Sequence, residues 1–367
     1  MTPSSEESSA LNRQLIEKIY TSDGQFALAV TGGGSSIVSD LFSVPGASNT
    51  VLEACVPYHQ DSLSSYLRSR KSHGCSTQTA RAMAMVAYER ACAFGTVQPL
   101  AGIGCTAAIA TNRERRGADR CHIAVQMADR TITFDLELDK SLDRASQEVI
   151  CNQLLLLAAA RASGLDINEI PKGTSIKEVV ASDAWQRLMS RETNQTGELQ
   201  YDLVFPGAFN PLHDGHRGMI ETAQSIRPGN VALELSIENV DKPPLDYMTM
   251  QHRFNDEYDM VFTRAPTFAE KVSIFPGATF IVGLDTIVRI DDPKYYDGSA
   301  EKRDAAIRHI ADHGNRFLVF GRLQDETFRV LSDVTLSTPL NALCEEVSAD
   351  AFRLDISSTE LRSRKNQ

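Results

Sequence analysis

Two histidines, His213 and His216, stand three positions apart in the segment Gly207-Ala208-Phe209-Asn210-Pro211-Leu212-His213-Asp214-Gly215-His216. The apolar run Leu203-Val204-Phe205 before it reads as a buried strand, and Arg217 to Ala223 after it reads as a helix. A strand-to-helix junction offers unpaired backbone N–H groups and the positive end of a helix dipole, and both favour an anion. Each imidazole can donate a hydrogen bond there, and contact with phosphate favours its charged form. Gly207 and Gly215 let the backbone approach a phosphate with no side chain in the way. The chemistry this suits is phosphoryl transfer, which needs positioning and stabilisation of negative charge more than a strong base. An isolated pair of histidines at this spacing would as readily cap the helix.

Three further groups could serve the same chemistry. Ile356-Ser357-Ser358-Thr359-Glu360-Leu361-Arg362 follows Ala351 to Leu354, which reads as a strand. Ser357, Ser358 and Thr359 would offer hydroxyls and N–H groups at a helix start, and Arg362, one turn on, a bidentate clamp. On their own they would be an ordinary helix cap. Asn239-Val240-Asp241-Lys242-Pro243 is followed by Arg253. The segment resembles the polar loop and arginine that follow the second strand in nucleotidyltransferases, which implies that Lys242 neutralises triphosphate charge and Arg253 orders the loop; a solvated pair is the alternative. Gly283-Leu284-Asp285 follows a strand ending at Val282 and resembles the GxD element that nucleotidyltransferases carry near the nucleotide; the resemblance implies that Asp285 accepts from the ribose or orders the site, and a plain turn aspartate is the alternative.

Together these residues resemble the GxFxPxHxGH and ISSTxxR signatures of the nucleotidyltransferase superfamily. The resemblance implies a Rossmann-like, doubly wound parallel sheet with both motifs around one ATP tail. It makes His213 and His216 catalytic, facing the α- and β-phosphates. Gly207, Phe209, Gly215, Lys242, Gly283, Asp285, Ser357, Ser358, Thr359 and Arg362 become nucleotide-binding. The Asn-Pro-x-His form looks most like the nicotinamide and nicotinate mononucleotide adenylyltransferases. That implies ATP and a pyridine mononucleotide as substrates, pyrophosphate release, and Mg2+ held by phosphates and water with no protein ligand. Transfer to another phosphorylated acceptor is the alternative within enzymes; a non-catalytic pyridine-nucleotide sensor or scaffold is the alternative outside them. The family usually has further helical sequence after ISSTxxR. Here the chain stops at Gln367, which leaves the first half as the candidate to complete the pocket.

The elements that position these groups follow from periodicity. From Tyr201 the rhythm is strand, helix, strand, with strands expected at 202–205, 231–236, 279–282, 317–320 and 351–354, hence a parallel α/β sheet. Ligands of such sheets sit outside the carboxyl ends of the strands, where both motifs fall. Upstream, a strand over 26–30 turns through Thr31–Ser36 into a helix. Helices are expected over 77–93 and 145–162, and a hairpin over 121–127 and 131–138. The reading is therefore a disordered start over 1–10, a first domain over 11–164, a polar-and-helical connector over 165–200, and the nucleotidyltransferase-like domain over 201–367.

Residues 11 to 162 resemble the C-terminal domain of CinA proteins, the nicotinamide-mononucleotide amidohydrolase fold. Thr31-Gly32-Gly33, Val44-Pro45-Gly46-Ala47-Ser48, Tyr58, Ser76 through Met83 and Gly102-Ile103-Gly104 carry the likeness. The family's nucleophilic serine and its lysine correspond to Ala29 and Leu63, so the resemblance implies no amide hydrolysis. It leaves a sensing, scaffolding or homo-oligomerising role. No Gly-Lys-Ser/Thr follows Gly32–Ser36, so that loop is not a triphosphate-binding P-loop.

Bulk properties narrow the rest. A net charge of -11 over 367 residues argues against a nucleic-acid partner. No apolar run is long enough to span a membrane, and the polar start has no signal-peptide pattern. The seven cysteines show no paired spacing and read as reduced thiols of a cytoplasmic protein without a zinc site.

Overall fold

The computed structural model describes residues 5–69, 71–113, 115–167, 169–239, 242–324 and 327–353. By packing, the chain divides into two α/β units. The first runs to Met189 and takes in Asn239–Gln251; the second comprises Ser190–Glu238 and the chain from His252 onward.

The first unit opens with α1 (Ser5–Tyr20), β1 (Gln25–Thr31), α2 (Ser36–Ser43), α3 (Ala47–Thr50) and β2 (Val51–Cys55). α4 (Gln60–Tyr66), α5 (Thr77–Phe94), β3 (Leu100–Ala108), β4 (Asp119–Met127), β5 (Arg130–Leu138) and α6 (Arg144–Ala162) follow. β6 (Ser175–Val180) and α7 (Asp183–Met189) complete the run. The sheet order is β2-β1-β3-β4-β5-β6, parallel around β1 and antiparallel from β3 onward. Alternate residues of β1 face opposite layers. Phe26, Leu28 and Val30 join α1, α2 and α6 in the main core, while Ala29 faces α4 and α5. α5 lies directly on β3 because Gly102 and Gly104 carry no Cβ; one added at Gly104 would sit 2.3 Å from the Ala80 carbonyl.

Two expectations change here. Residues 5–10 are helical rather than unstructured. The stretch 165–200 is more than a connector, since Ser175–Val180 pairs with β5 as an edge strand.

The second unit holds β7 (Leu203–Pro206), α8 (Asp214–Ile226) and β8 (Val231–Ser236). α9 (Tyr247–Arg253) lies on the following crossover, ahead of β9 (Asp259–Thr263), α10 (Phe268–Ile274), β10 (Thr279–Gly283), α11 (Leu284–Asp291) and α12 (Ala300–Asp312). β11 (Arg316–Phe320), the hairpin β12 (Arg322–Gln324) and β13 (Thr327–Arg329), α13 (Thr338–Asn341) and β14 (Cys344–Val347) end it. All strands of the main sheet are parallel, in the order β14-β11-β10-β7-β8-β9. Numbered within the unit this is 6-5-4-1-2-3, the doubly wound order with its reversal between β7 and β10. The expected strand at 351–354 is not formed over 351–353; residue 354 lies outside the described residues. The edge position belongs to Cys344–Val347 instead.

Asn239–Gln251, expected within the second domain, packs in the first unit. Tyr247 is fully buried there: its hydroxyl donates to the Ala128 carbonyl and its N–H to Thr131 Oγ1 at 3.1 Å. Arg81 of α5 pairs with Asp246 at 2.8 Å, and Trp185 stacks on Tyr247 with ring centroids 6.3 Å apart. Among the described residues, no helix is long and apolar enough to cross a membrane.

Candidate functional site

His213 and His216 sit where the doubly wound order reverses. β7 ends at Pro206, the loop 207–212 crosses the carboxyl edge, and α8 begins with His213 as its N-cap. α8 packs on β7 and β10, the two strands that flank the reversal. Gly283, Leu284 and Asp285 begin α11 directly at the carboxyl end of β10. The sheet therefore brings two of the motifs expected from the sequence to one crevice.

The imidazoles are ordered by the loop beneath them. Phe209 is buried with φ +40°, a conformation that turns its ring back under Gly207. A Cβ on Gly207 would lie 2.6 Å from that ring, so this glycine makes room for Phe209. Phe209 accordingly orders the loop from below. Phe205, Phe209 and His216 meet edge to face at centroid distances of 5.3 to 5.7 Å. Gly215 is buried in the first turn of α8.

The rings of His213 and His216 stack with centroids 3.7 Å apart. The backbone N–H of His213 donates to His216 Nδ1 at 3.2 Å. An Nδ1 that accepts is unprotonated, so the neutral His216 ring carries its proton on Nε2 and can donate from there. Burial among the aromatic rings, with smaller contributions from His213 and Arg217, pushes the His216 pKa down to about 4. Burial also lowers His213, more than Arg217 does, and Asp214 partly offsets this. In this structure burial therefore favours the neutral form of both imidazoles, whose N–H can still donate a hydrogen bond. Capping and site geometry coincide.

Positive charge at this edge has other sources. Arg217 is held by Glu257 at 2.9 Å and Asp214 at 3.0 Å. Lys242 is exposed and lies in the segment that packs with the first unit. Asp285 accepts from Arg322 at 2.8 Å and from Arg289 at 3.4 Å. A Cβ on Gly283 would meet Asp285 Oδ1 at 2.9 Å, so this glycine lets the carboxylate fold back over the strand end. Arg322 went unnoticed in the sequence, although it stands two residues past a strand end, where the carboxyl-edge rule would have found it.

Glu234 and Lys271 also escaped notice. Both are buried, with Lys271 Nζ 2.7 Å from Glu234 Oε1 and 2.7 Å from the Ala265 carbonyl. Thr263 Oγ1 donates to the same carboxylate, and the Glu234 carbonyl accepts the Gly207 N–H at 2.9 Å. This network fixes the origin of the histidine loop.

Ser357, Ser358, Thr359 and Arg362 lie outside the described residues. The chain entering that motif is described to Arg353, and it approaches the first motif. The Phe352 ring fills the space over Gly218 of α8, where a Cβ would be 2.9 Å away, and packs against Phe320 at 5.2 Å.

In the first unit, Ala29 and Leu63 fall in one apolar cluster with Leu67, Met83 and Val86. The Gly32–Ser36 loop is filled by the chain itself: Glu148 accepts from the N–H of Gly34 at 2.7 Å and of Ser36 at 3.1 Å. Among the described residues, no grouping of His, Cys, Asp and Glu could hold a metal ion, and the cysteines are free thiols.

No protein-family model matches this chain, and no curated protein matches it. Solved structures that resemble part of it include the competence/damage inducible protein CihA from Agrobacterium tumefaciens, at 17% identity and TM-score 0.36, covering 44% of this chain and 99% of that one. A competence-damaged protein (CinA) superfamily protein from Escherichia coli is 14% identical at TM-score 0.31, over 44% of this chain and 94% of that one. A CinA superfamily protein from Klebsiella pneumoniae is 10% identical at TM-score 0.30, over 43% and 96%.

Proposed function

We propose that the second unit is a nucleotidyltransferase that transfers an adenylyl group from ATP to nicotinate or nicotinamide mononucleotide. The observation that carries this reading is the position of the histidine motif at the reversal between β7 and β10, with Gly283–Asp285 across the same crevice. The approach of Phe352 to α8 adds to it, since the second motif begins four residues later, at Ile356.

In the reaction, a phosphate oxygen of the mononucleotide attacks the α-phosphorus of ATP, forming one P–O bond as the bond to the β-phosphate oxygen breaks. Pyrophosphate leaves with that electron pair. The attacking oxygen is already ionised near neutral pH, so the residues position and stabilise rather than deprotonate. His216 donates Nε2–H to a phosphoryl oxygen while the His213 N–H holds its Nδ1. Magnesium would enter with the triphosphate and spread its charge. The carboxylate after β10, Asp285, is engaged by two arginines, so no side-chain ligand is assigned to the ion. The first unit, with Ala29 and Leu63 packed in hydrocarbon, hydrolyses no amide in this reading.

A single assay tests both parts: the full chain with ATP and a panel of phosphorylated acceptors, followed for pyrophosphate and ammonia. Pyrophosphate should appear with a pyridine mononucleotide, without ammonia. His216→Ala should lower kcat by about a hundred- to a thousandfold, as expected for one lost donor to a developing anion. Full turnover in that variant, or no pyrophosphate with any acceptor, refutes the reading.

A further inference from the structure

A triphosphate brings several negative charges to this crevice, and burial disfavours the charged form of both imidazoles there. Arg217 is clamped between two carboxylates on α8 and beyond it. Across the reversal, two guanidinium groups share a single carboxylate. Among the described residues, Arg322 and Arg289 both contact Asp285 Oδ2, so two guanidinium groups meet one carboxylate near the carboxyl ends of β10 and β11. Arg322 leaves β11 through Gly321 and is about half exposed, at 46% of its side-chain surface. Its contact with Asp285 is through Nη1, so the planar fork retains donors for a second oxyanion.

We infer that Arg322 binds the triphosphate of the nucleotide, exchanging Asp285 for phosphate oxygens while Arg289 keeps the aspartate paired. The inference rests on the transferase reading of the same site and adds the residue that carries the phosphate charge. An exposed ion pair is worth little, and a doubly charged phosphate outcompetes a monoanionic carboxylate for a guanidinium fork. Asp285 is then a competitor for the arginine as well as part of the site. A merely structural ion pair would weaken with either partner's removal, whereas a competing carboxylate gives opposite signs.

The test is binding of inorganic triphosphate to the full chain by calorimetry, with melting temperatures as the control for folding. Arg322→Ala should weaken binding by about ten- to a hundredfold, and Arg322→Lys should fall between. Asp285→Asn should tighten it by about two- to fivefold. Unchanged binding in a folded Arg322→Ala protein, or weaker binding in Asp285→Asn, overturns the assignment. In turnover, Arg322→Ala should raise KM for ATP and leave KM for the mononucleotide in place; the reverse pattern also overturns it. If the wild-type chain shows Arg322-dependent triphosphate binding and no pyrophosphate release, the transferase reading fails and this one stands. Wild-type kinetics in Arg322→Ala would do the opposite.

Discussion

The two units open their sheets alike and fill the result differently. Each sends a buried strand into a glycine-containing turn and then a helix: β1, Gly32–Gly34 and α2 in the first, β7, Gly207–Leu212 and α8 in the second. In the first, a glutamate from α6 reaches the turn and fills its amides with a carboxylate. In the second, Glu234 lies below the turn, its carboxylate matched by Lys271 and its carbonyl tying down Gly207. A glycine turn at a helix start is a general anion cradle. The two turns differ in whether the chain's own carboxylate looks into the turn or is neutralised underneath.

The most severe way to break that contrast is to unpair the second glutamate. Lys271→Met leaves the Glu234 carboxylate buried without its counter-charge and should destabilise the unit by about 3–5 kcal/mol, read from denaturant unfolding. Adding Glu234→Gln to that variant should recover most of the loss, because the buried charge is then gone. If the single variant melts like the wild type, Lys271 does not neutralise the carboxylate.

The imidazoles give a second, smaller handle. The His216 pKa falls from its ordinary 6.5 to about 4 in the folded chain. The unfolded chain therefore takes up the proton first as pH falls, and stability present above about pH 6.5 is lost on the way down to 4. The loss amounts to about 3 kcal/mol at most. His216→Gln should flatten this part of the stability–pH profile in the second unit and leave the first unit's profile unchanged. An identical acid dependence in the variant would mean that the ring is not desolvated.

Legibility in the sequence followed the range of the interactions involved. α5 and α6 could be read from their local signals: Ser76 caps Thr79 N at 3.2 Å and Asp143 caps Ser146 N at 2.8 Å. The β4–β5 hairpin shows in its alternation, and the β7–α8 junction in its motif. The missed elements depend on distant partners. β6 and β14 are edge strands with much polar surface, so they lack the apolar run that marks a buried strand. The apolar pattern at 351–354 looked the better strand, yet Phe352 is used to cover Gly218. Arg322 and Asp285 meet only because β10 and β11 are neighbours, and Asn239–Gln251 packs away from its flanks in sequence. That Gly207 makes space for a ring is not legible either, because Phe209 stands two residues on in a left-handed backbone conformation.

The mildest perturbation tests the contrast from the other side. Glu148→Ala removes the carboxylate from Gly34 and Ser36 and should cost the first unit about 1.5–3 kcal/mol, the range for hydrogen bonds to a charged group. If the turn is an anion cradle blocked by its own chain, sulfate should then raise the variant's melting temperature and leave the wild type's where it was. Equal sulfate dependence in both proteins would place the ion elsewhere and make Glu148 an ordinary tether between α6 and α2. A rescue specific to the variant would mean that both units keep the same cradle. Their difference would then reduce to the single carboxylate that closes one of them.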